Sequence, residues 1–219
     1  MEIHKPKPWH GWREFAKEVG IIVLGVLIAL VAEQAVQNLH WHEAVERGRE
    51  ALHREMAVDS DYLRDRVLIG PCVDRRIAAA AAMIDTAATG KPTPSAAKPY
   101  IGPGRLTLIS EWNTERASQA LTHFPREELS KLGVWYDQMD SMRAWIEQEE
   151  DAWAKLATLK TGAALGPMDV ALLRQDIQRA RYLEYLMVLN AQRQLDRSRE
   201  LGVQAGPPRK DWIADNCAI

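Results

Sequence analysis

Residues 15–36 read FAKEVGIIVLGVLIALVAEQAV, and Val19 to Ala32 carry no charge. That uncharged run, about 14 residues, is shorter than the roughly 20 a helix needs to cross a bilayer. From Phe15 to Val36 the segment is about 22 residues, or about 33 Å of helix, which matches the hydrocarbon thickness. Lys17 can snorkel toward headgroups, and Glu18 and Glu33 lie near the ends, where a carboxylate costs least. Trp9, Trp12 and Trp41 stand where interfacial aromatics anchor a spanning helix. The reading is a single transmembrane helix over 15–37. A cleaved signal peptide needs small residues at a cleavage site, and no A-x-A pair follows the run. A buried core helix is the remaining alternative.

Lys5, Lys7, Arg13 and Lys17 precede the apolar run, and the first basic residue after it is Arg47. The positive-inside rule then places the N-terminus in the cytoplasm and the rest of the chain in the periplasm of a bacterial inner membrane. No second apolar run is long enough to span; the best, Tyr182–Leu189, is interrupted by Glu184. Inside the span, Gly20, Gly25, Ala29 and Ala32 offer small surfaces for helix contact without forming a GxxxG.

The stretch PWHGWREFAKEVGIIVLGVLIALVAEQAV resembles the opening of an uncharacterised bacterial family of short, single-pass, membrane-anchored helical proteins. The family pattern E-[IV]-x-I-V-x-G-[IV]-L-I-A-L is matched by Glu18, Gly25, Leu27, Ile28, Ala29 and Leu30. A later piece, Trp112, Ala120-Leu121, Phe124-Pro125 and Tyr136, is similar in type. The resemblance implies an anchored helical architecture and no particular activity.

Beyond the span the chain reads as helical. Val45, Leu52, Met56, Leu63 and Val67 form an a/d-type stripe, which predicts a rod ended by Gly70-Pro71. A second helix is expected over 72–88 and a loop over 90–104. A third helix is expected over 105–123, and a fourth opens at Pro125 with Glu127 and Glu128 in its first turn. After a break at 161–166, a fifth helix runs from Pro167 to about Leu201, with its deepest turn at Tyr182–Leu189. The expected fold is all-α: a cytoplasmic segment over 1–14, the span, a helical bundle over 38–201 and a C-terminal tail over 202–219.

The chain has 219 residues, with 28 Lys plus Arg against 30 Asp plus Glu and a formal net charge of −2. That near-neutral balance excludes a dedicated nucleic-acid binder. Two cysteines exclude a four-cysteine zinc site, but Cys72 and Cys217 can form a disulfide on an oxidising side of the membrane.

Ser95-Ala-Ala-Lys98 and Lys160-Thr161-Gly162 imitate two motifs of penicillin-recognising enzymes. However, Ser95 lies in a proline-rich loop, and no strand is expected to carry the second motif. Gly90-Lys91 lacks the rest of a phosphate loop. His40 and His42 are about 200° apart on a helix, so with His53, Glu43, Glu46 and Glu50 they read as a polar collar at the interface. Glu147, Glu149, Glu150 and Asp151 read as a solvated acidic face, and Trp112, Trp135, Trp145 and Trp153 as core or interface anchors.

No catalytic, metal or cofactor set emerges. The expected role is a non-enzymatic accessory or assembly subunit. It engages the lipid bilayer and either another membrane or periplasmic protein or a second copy of itself. A small-molecule-binding helical module is the alternative, and an enzyme of another class a third reading.

Overall fold

The structure is a computed structural model that describes residues 11–91, 102–161 and 164–217. Every regular element among these residues is helical: α1 (Trp12–Ala88), α2 (Ser110–Ala117), α3 (Arg126–Leu156), α4 (Pro167–Glu200) and α5 (Lys210–Cys217). Single 3₁₀ turns follow α2 (Ala120–His123) and α3 (Ala157–Thr161). The chain divides into two units, Met1–Arg47 and Gly48–Ile219.

In the first unit the described residues are the opening of α1. The helix carries an 18-residue window of mean hydropathy 2.4, none of it buried, so it is long and apolar enough to cross a membrane. Trp12 packs its ring against Phe15 at 5.6 Å.

The second unit is a three-helix bundle of the later part of α1 with α3 and α4. Its cause is a heptad pattern on all three helices. On α1, Leu52, Met56, Leu63, Val73, Ile77, Ala80, Ile84 and Ala87 are buried. On α3 the buried stripe is Leu132, Trp135, Met139, Met142, Ile146, Trp153 and Leu156. On α4 it is Val170, Leu173, Ile177, Ala180, Met187 and Ala191. Each fully buried Leu, Ile or Met contributes about 1.5–3 kcal/mol of transfer free energy.

Cross-helix pairs set the directions. Arg49 reaches Glu128 and Arg66 reaches Glu149, so α3 runs parallel to α1. Ser60 meets Ser198 and Asp85 meets Arg174, so α4 runs antiparallel to α1.

Two parallel helices need a return path, and residues 102–109, which form no regular element, provide part of it. Gly104 lies so close to α3 that a Cβ there would sit 2.7 Å from Ile146 Cγ2. Farther along, Thr107 Oγ1 donates to the Met139 carbonyl at 3.4 Å. After α4 the chain turns again and lays α5 along α1. Gly206 N donates to Asp61 Oδ1 at 2.6 Å, Arg209 Nε pairs with Asp65 at 3.0 Å, and Trp212 meets the Tyr62 ring edge-on.

Four expectations are corrected. Gly70-Pro71 does not end the rod: α1 runs through Pro71 to Ala88, so no separate helix begins at Cys72. Glycine before the proline removes the Cβ that clashes with the pyrrolidine ring. Burial of Ile69, Cys72 and Val73 holds both sides of the site in the bundle.

Helix does not begin at Arg105. The Leu108 N–H donates to the Asp59 carboxylate and the Glu111 N–H to Glu55, so tertiary acceptors replace helical ones up to Ser110. The 202–219 tail contains α5, which draws order from Trp212 and Ile213 packed against the core. Finally, Tyr182–Leu189 is not buried all round, since Tyr182 and Tyr185 are 61% and 62% exposed.

Cys72 on α1 and Cys217 on α5 stand at disulfide distance, with Cα atoms 4.9 Å apart across 145 residues of sequence. Closing so long a loop removes unfolded-state entropy worth about 4–5 kcal/mol. The Cys72→Ala/Cys217→Ala variant should lose stability of that order in guanidinium unfolding, with retained helical circular dichroism.

A buried charged layer and the groove beside it

The apolar stripes of the bundle skip some of their own steps, and charged residues or glycine occupy the gaps. On α1 the steps between Met56 and Val73 are filled by Asp59, Arg66 and Gly70 as well as Leu63. On α3 the step between Ile146 and Trp153 is Glu149, and on α4 the step between Ala180 and Met187 is Glu184. Arg66, Glu149 and Glu184 are 0%, 0% and 3% exposed. Helix direction brings the three to one level, one from each helix.

Arg66 Nη2 donates to Glu149 Oε1 at 2.5 Å and also to Glu184 Oε2. Arg66 Nε and Nη1, Glu149 Oε2 and Glu184 Oε1 have no hydrogen-bond partner among the described residues. Burial opposes the Arg66 charge, but the two carboxylates outweigh it and hold the guanidinium above its ordinary value. Burial pushes Glu149 up, against the pull of Arg66. It pushes Glu184 up to about 7, Arg66 opposing and Glu149 and Asp74 adding to the rise. With one cation against two acids, the layer can hold a proton near neutral pH.

A second acidic pair lies one helical turn apart on α1. Glu55 accepts from Ser110 Oγ at 2.7 Å and from the Glu111 N–H at 2.9 Å, a carboxylate at the start of α2 that suits the helix dipole. Asp59 accepts from the Leu108 N–H with both oxygens at 3.0 Å, yet burial still pushes it up to about 7. Trp112 stacks on Tyr136 above this pair, with centroids 4.8 Å apart and planes 7° from parallel.

Next to the charged layer, a groove of about 540 Å³ opens between α1 and α4. Val67, Gly70 and Pro71 line it from α1, and Glu184, Tyr185 and Val188 from α4. Pro71 has no N–H, so the carbonyl of Val67, one of the residues lining this groove, loses its helical donor. A Cβ on Gly70 would lie 3.1 Å from Val188 Cγ2 and 3.2 Å from Glu184 Oε1, so bare backbone forms the floor there.

The residues singled out in the sequence scatter. Gly20, Gly25, Ala29 and Ala32 lie exposed on the first-unit helix, and a Cβ added at either glycine would meet no neighbour within 4 Å among the described residues. Trp12 is exposed and Trp41 half-buried beside His40, while Trp9 lies outside the described residues. His40 and His42 are exposed in the first unit. His53, in the second, is half-buried, and burial lowers its pKa. Ser95 and Lys98 lie outside the described residues, as does Gly162. Trp135 and Trp153 are core; Trp112 and Trp145 are half-buried. The acidic run is not a uniform solvated face, because Glu149 points inward to Arg66. In the sequence Arg66, Glu149 and Glu184 stand only as polar interruptions of apolar stripes. The signal available was the skipped step between Leu63 and the next buried apolar position of the stripe.

Both acids with values near 7 are raised above their ordinary carboxylate range. The folded state therefore binds protons that the unfolded state has released. Their stabilising contribution is complete below about pH 4 and is lost as pH rises through about 7, with a slope of up to about 1.4 kcal/mol per pH unit per proton. Glu184→Gln should flatten this fall in unfolding free energy measured from pH 4 to pH 8. Arg66→Met alone leaves two buried acids unpaired and should cost about 3–5 kcal/mol. The triple change Arg66→Met, Glu149→Leu, Glu184→Met should recover that loss in the same unfolding assay.

No family model matches the chain, and no curated protein or solved structure matches it.

Proposed function

We propose that the chain is a single-pass protein of a bacterial inner membrane. The N-terminus is cytoplasmic and the helical unit periplasmic, serving as a non-enzymatic accessory or assembly subunit for another membrane or periplasmic protein. The observation that carries this reading is apolar surface that the chain leaves uncovered in each of its units. In the first unit it is the unburied helix window of mean hydropathy 2.4, which suits lipid. In the second it is one side of α4, where Met168, Leu172 and Tyr182 are each more than half exposed.

Part of that side forms one wall of a groove of about 1010 Å³ between α3 and α4. Leu165, Leu172 and Tyr182 line it beside Lys155, Asp176 and Arg179. Apolar anchors rimmed by both signs of charge suit an amphipathic helix of a partner protein. Tyrosine at such a surface brings large contact area at little entropy cost. The cysteine pair at disulfide distance agrees with an oxidising compartment.

Topology is checked by proteolysis of spheroplasts. Residues 48–219 should be cleaved from outside, and an N-terminal tag should stay protected. Native purification from the membrane should then recover a protein in fixed ratio. Leu172→Asp/Tyr182→Asp, at exposed positions, should change stability little yet release that protein. A chain that purifies alone, or a variant that keeps its partner, overturns the reading.

A further inference from the structure

We propose that the groove between α1 and α4 is a binding site for an organic cation, a primary ammonium or guanidinium on a small apolar body, whose head rests against Glu184 and the Val67 carbonyl. This site lies apart from the α3–α4 groove, and the proposal is independent of the partner-binding role.

The first argument is charge. Arg66 supplies one positive charge to two buried carboxylates; Arg76 acts on Glu149 as well, so Glu184 is the acid left to share Arg66. An excess charge in a dry interior is costly, and either a proton or an outside cation removes it. Of the two carboxylates, Glu184 is the one that lines the groove. Its Oε1 has no partner among the described residues although the side chain is almost fully buried.

The second argument is the kind of polar atom on offer. Val67 lines the same groove, and Pro71 leaves its carbonyl without a helical donor. Two acceptors together call for a ligand rich in N–H donors. Asp74 and Arg181 also line the groove, with opposite charges, so the unbalanced charge remains that of Glu184. Glu149, from α3, faces the same Arg66 and adds to the negative potential.

The third argument is shape. Tyr185, Val188 and Leu189 line the groove, and Gly70 leaves room for an apolar body to reach its floor. The Tyr185 ring suits a cation, because an aromatic face attracts positive charge. A volume of about 540 Å³ holds a small organic molecule.

The test is calorimetric titration of the full chain in amphipol with three probes of one shape: benzylammonium, benzyl alcohol and benzoate. Benzylammonium should bind at pH 8 at least tenfold more tightly than the other two. Its affinity should fall roughly tenfold at pH 5.5, where a proton on Glu184 competes. Glu184→Gln should abolish the preference for the ammonium. Val188→Trp, which keeps the carboxylate and fills the groove from a half-buried position, should abolish binding of every probe. Absence of benzylammonium binding, equal binding of benzyl alcohol, or an unchanged ammonium preference in Glu184→Gln overturns the proposal.

Discussion

A guanidinium with no access to water constrains the whole bundle. Arg66 occupies a core step of α1, and a buried cation is tolerable only if carboxylates meet it at its own level. Glu149 and Glu184 do so from the other two helices. The requirement fixes the axial register of three long helices whose apolar steps would otherwise accept a one-heptad slip at modest loss. A slipped register would set Arg66 beside leucine, isoleucine or methionine, at a cost of several kcal/mol. Polar positions in coiled-coil seams are best attested in this role of specifying alignment rather than adding stability.

The second consequence of that alignment is topological. With α3 parallel to α1, the chain must return the length of the bundle before α3 can start. The described part of that return, residues 102–109, packs along α3 and gives the Leu108 N–H to Asp59, and the first turn of α2 then gives the Glu111 N–H to Glu55. The C-terminal segment makes a similar use of α1, through Asp61, Asp65 and the cysteine pair. Acidic residues on α1 thus serve as acceptors for segments that carry no heptad pattern of their own. These segments owe their order to α1, since α2 and α5 are far too short to be stable helices alone.

The buried acids also tie stability to pH. Glu184 and Asp59 both sit where burial raises them to about 7, so the bundle is firmest when they carry protons. Glu184 differs from Asp59 in its surroundings. Asp59 spends both oxygens on the Leu108 N–H, whereas Glu184 keeps one oxygen uncommitted and lines an open groove. The same burial that serves alignment therefore leaves one carboxylate oxygen unpartnered, among the described residues, beside a groove.

The apolar stretch Val19–Ala32, the absence of alternating strand patterns and the periodic stripes after Pro125 and Pro167 were enough to read an all-helical chain with one helix fit for a membrane. Those features are local: periodicity and hydropathy act over a few turns and need no knowledge of what lies opposite. The continuity of α1 through Pro71, the non-helical backbone at 105–109, the helix inside the C-terminal tail and the inward turn of Glu149 were decided in three dimensions. Each depends on a partner distant in sequence. Burial on either side of Pro71 offsets a missing hydrogen bond, carboxylates on α1 take N–H groups that a helix would have used, and Trp212 and Ile213 find a core to pack on. Glu149 belongs to a run of acids that reads as solvated until Arg66 stands across from it. A charge in a heptad core position announces itself only as a skipped apolar step, and its meaning is set by the residues that other helices bring to the same level.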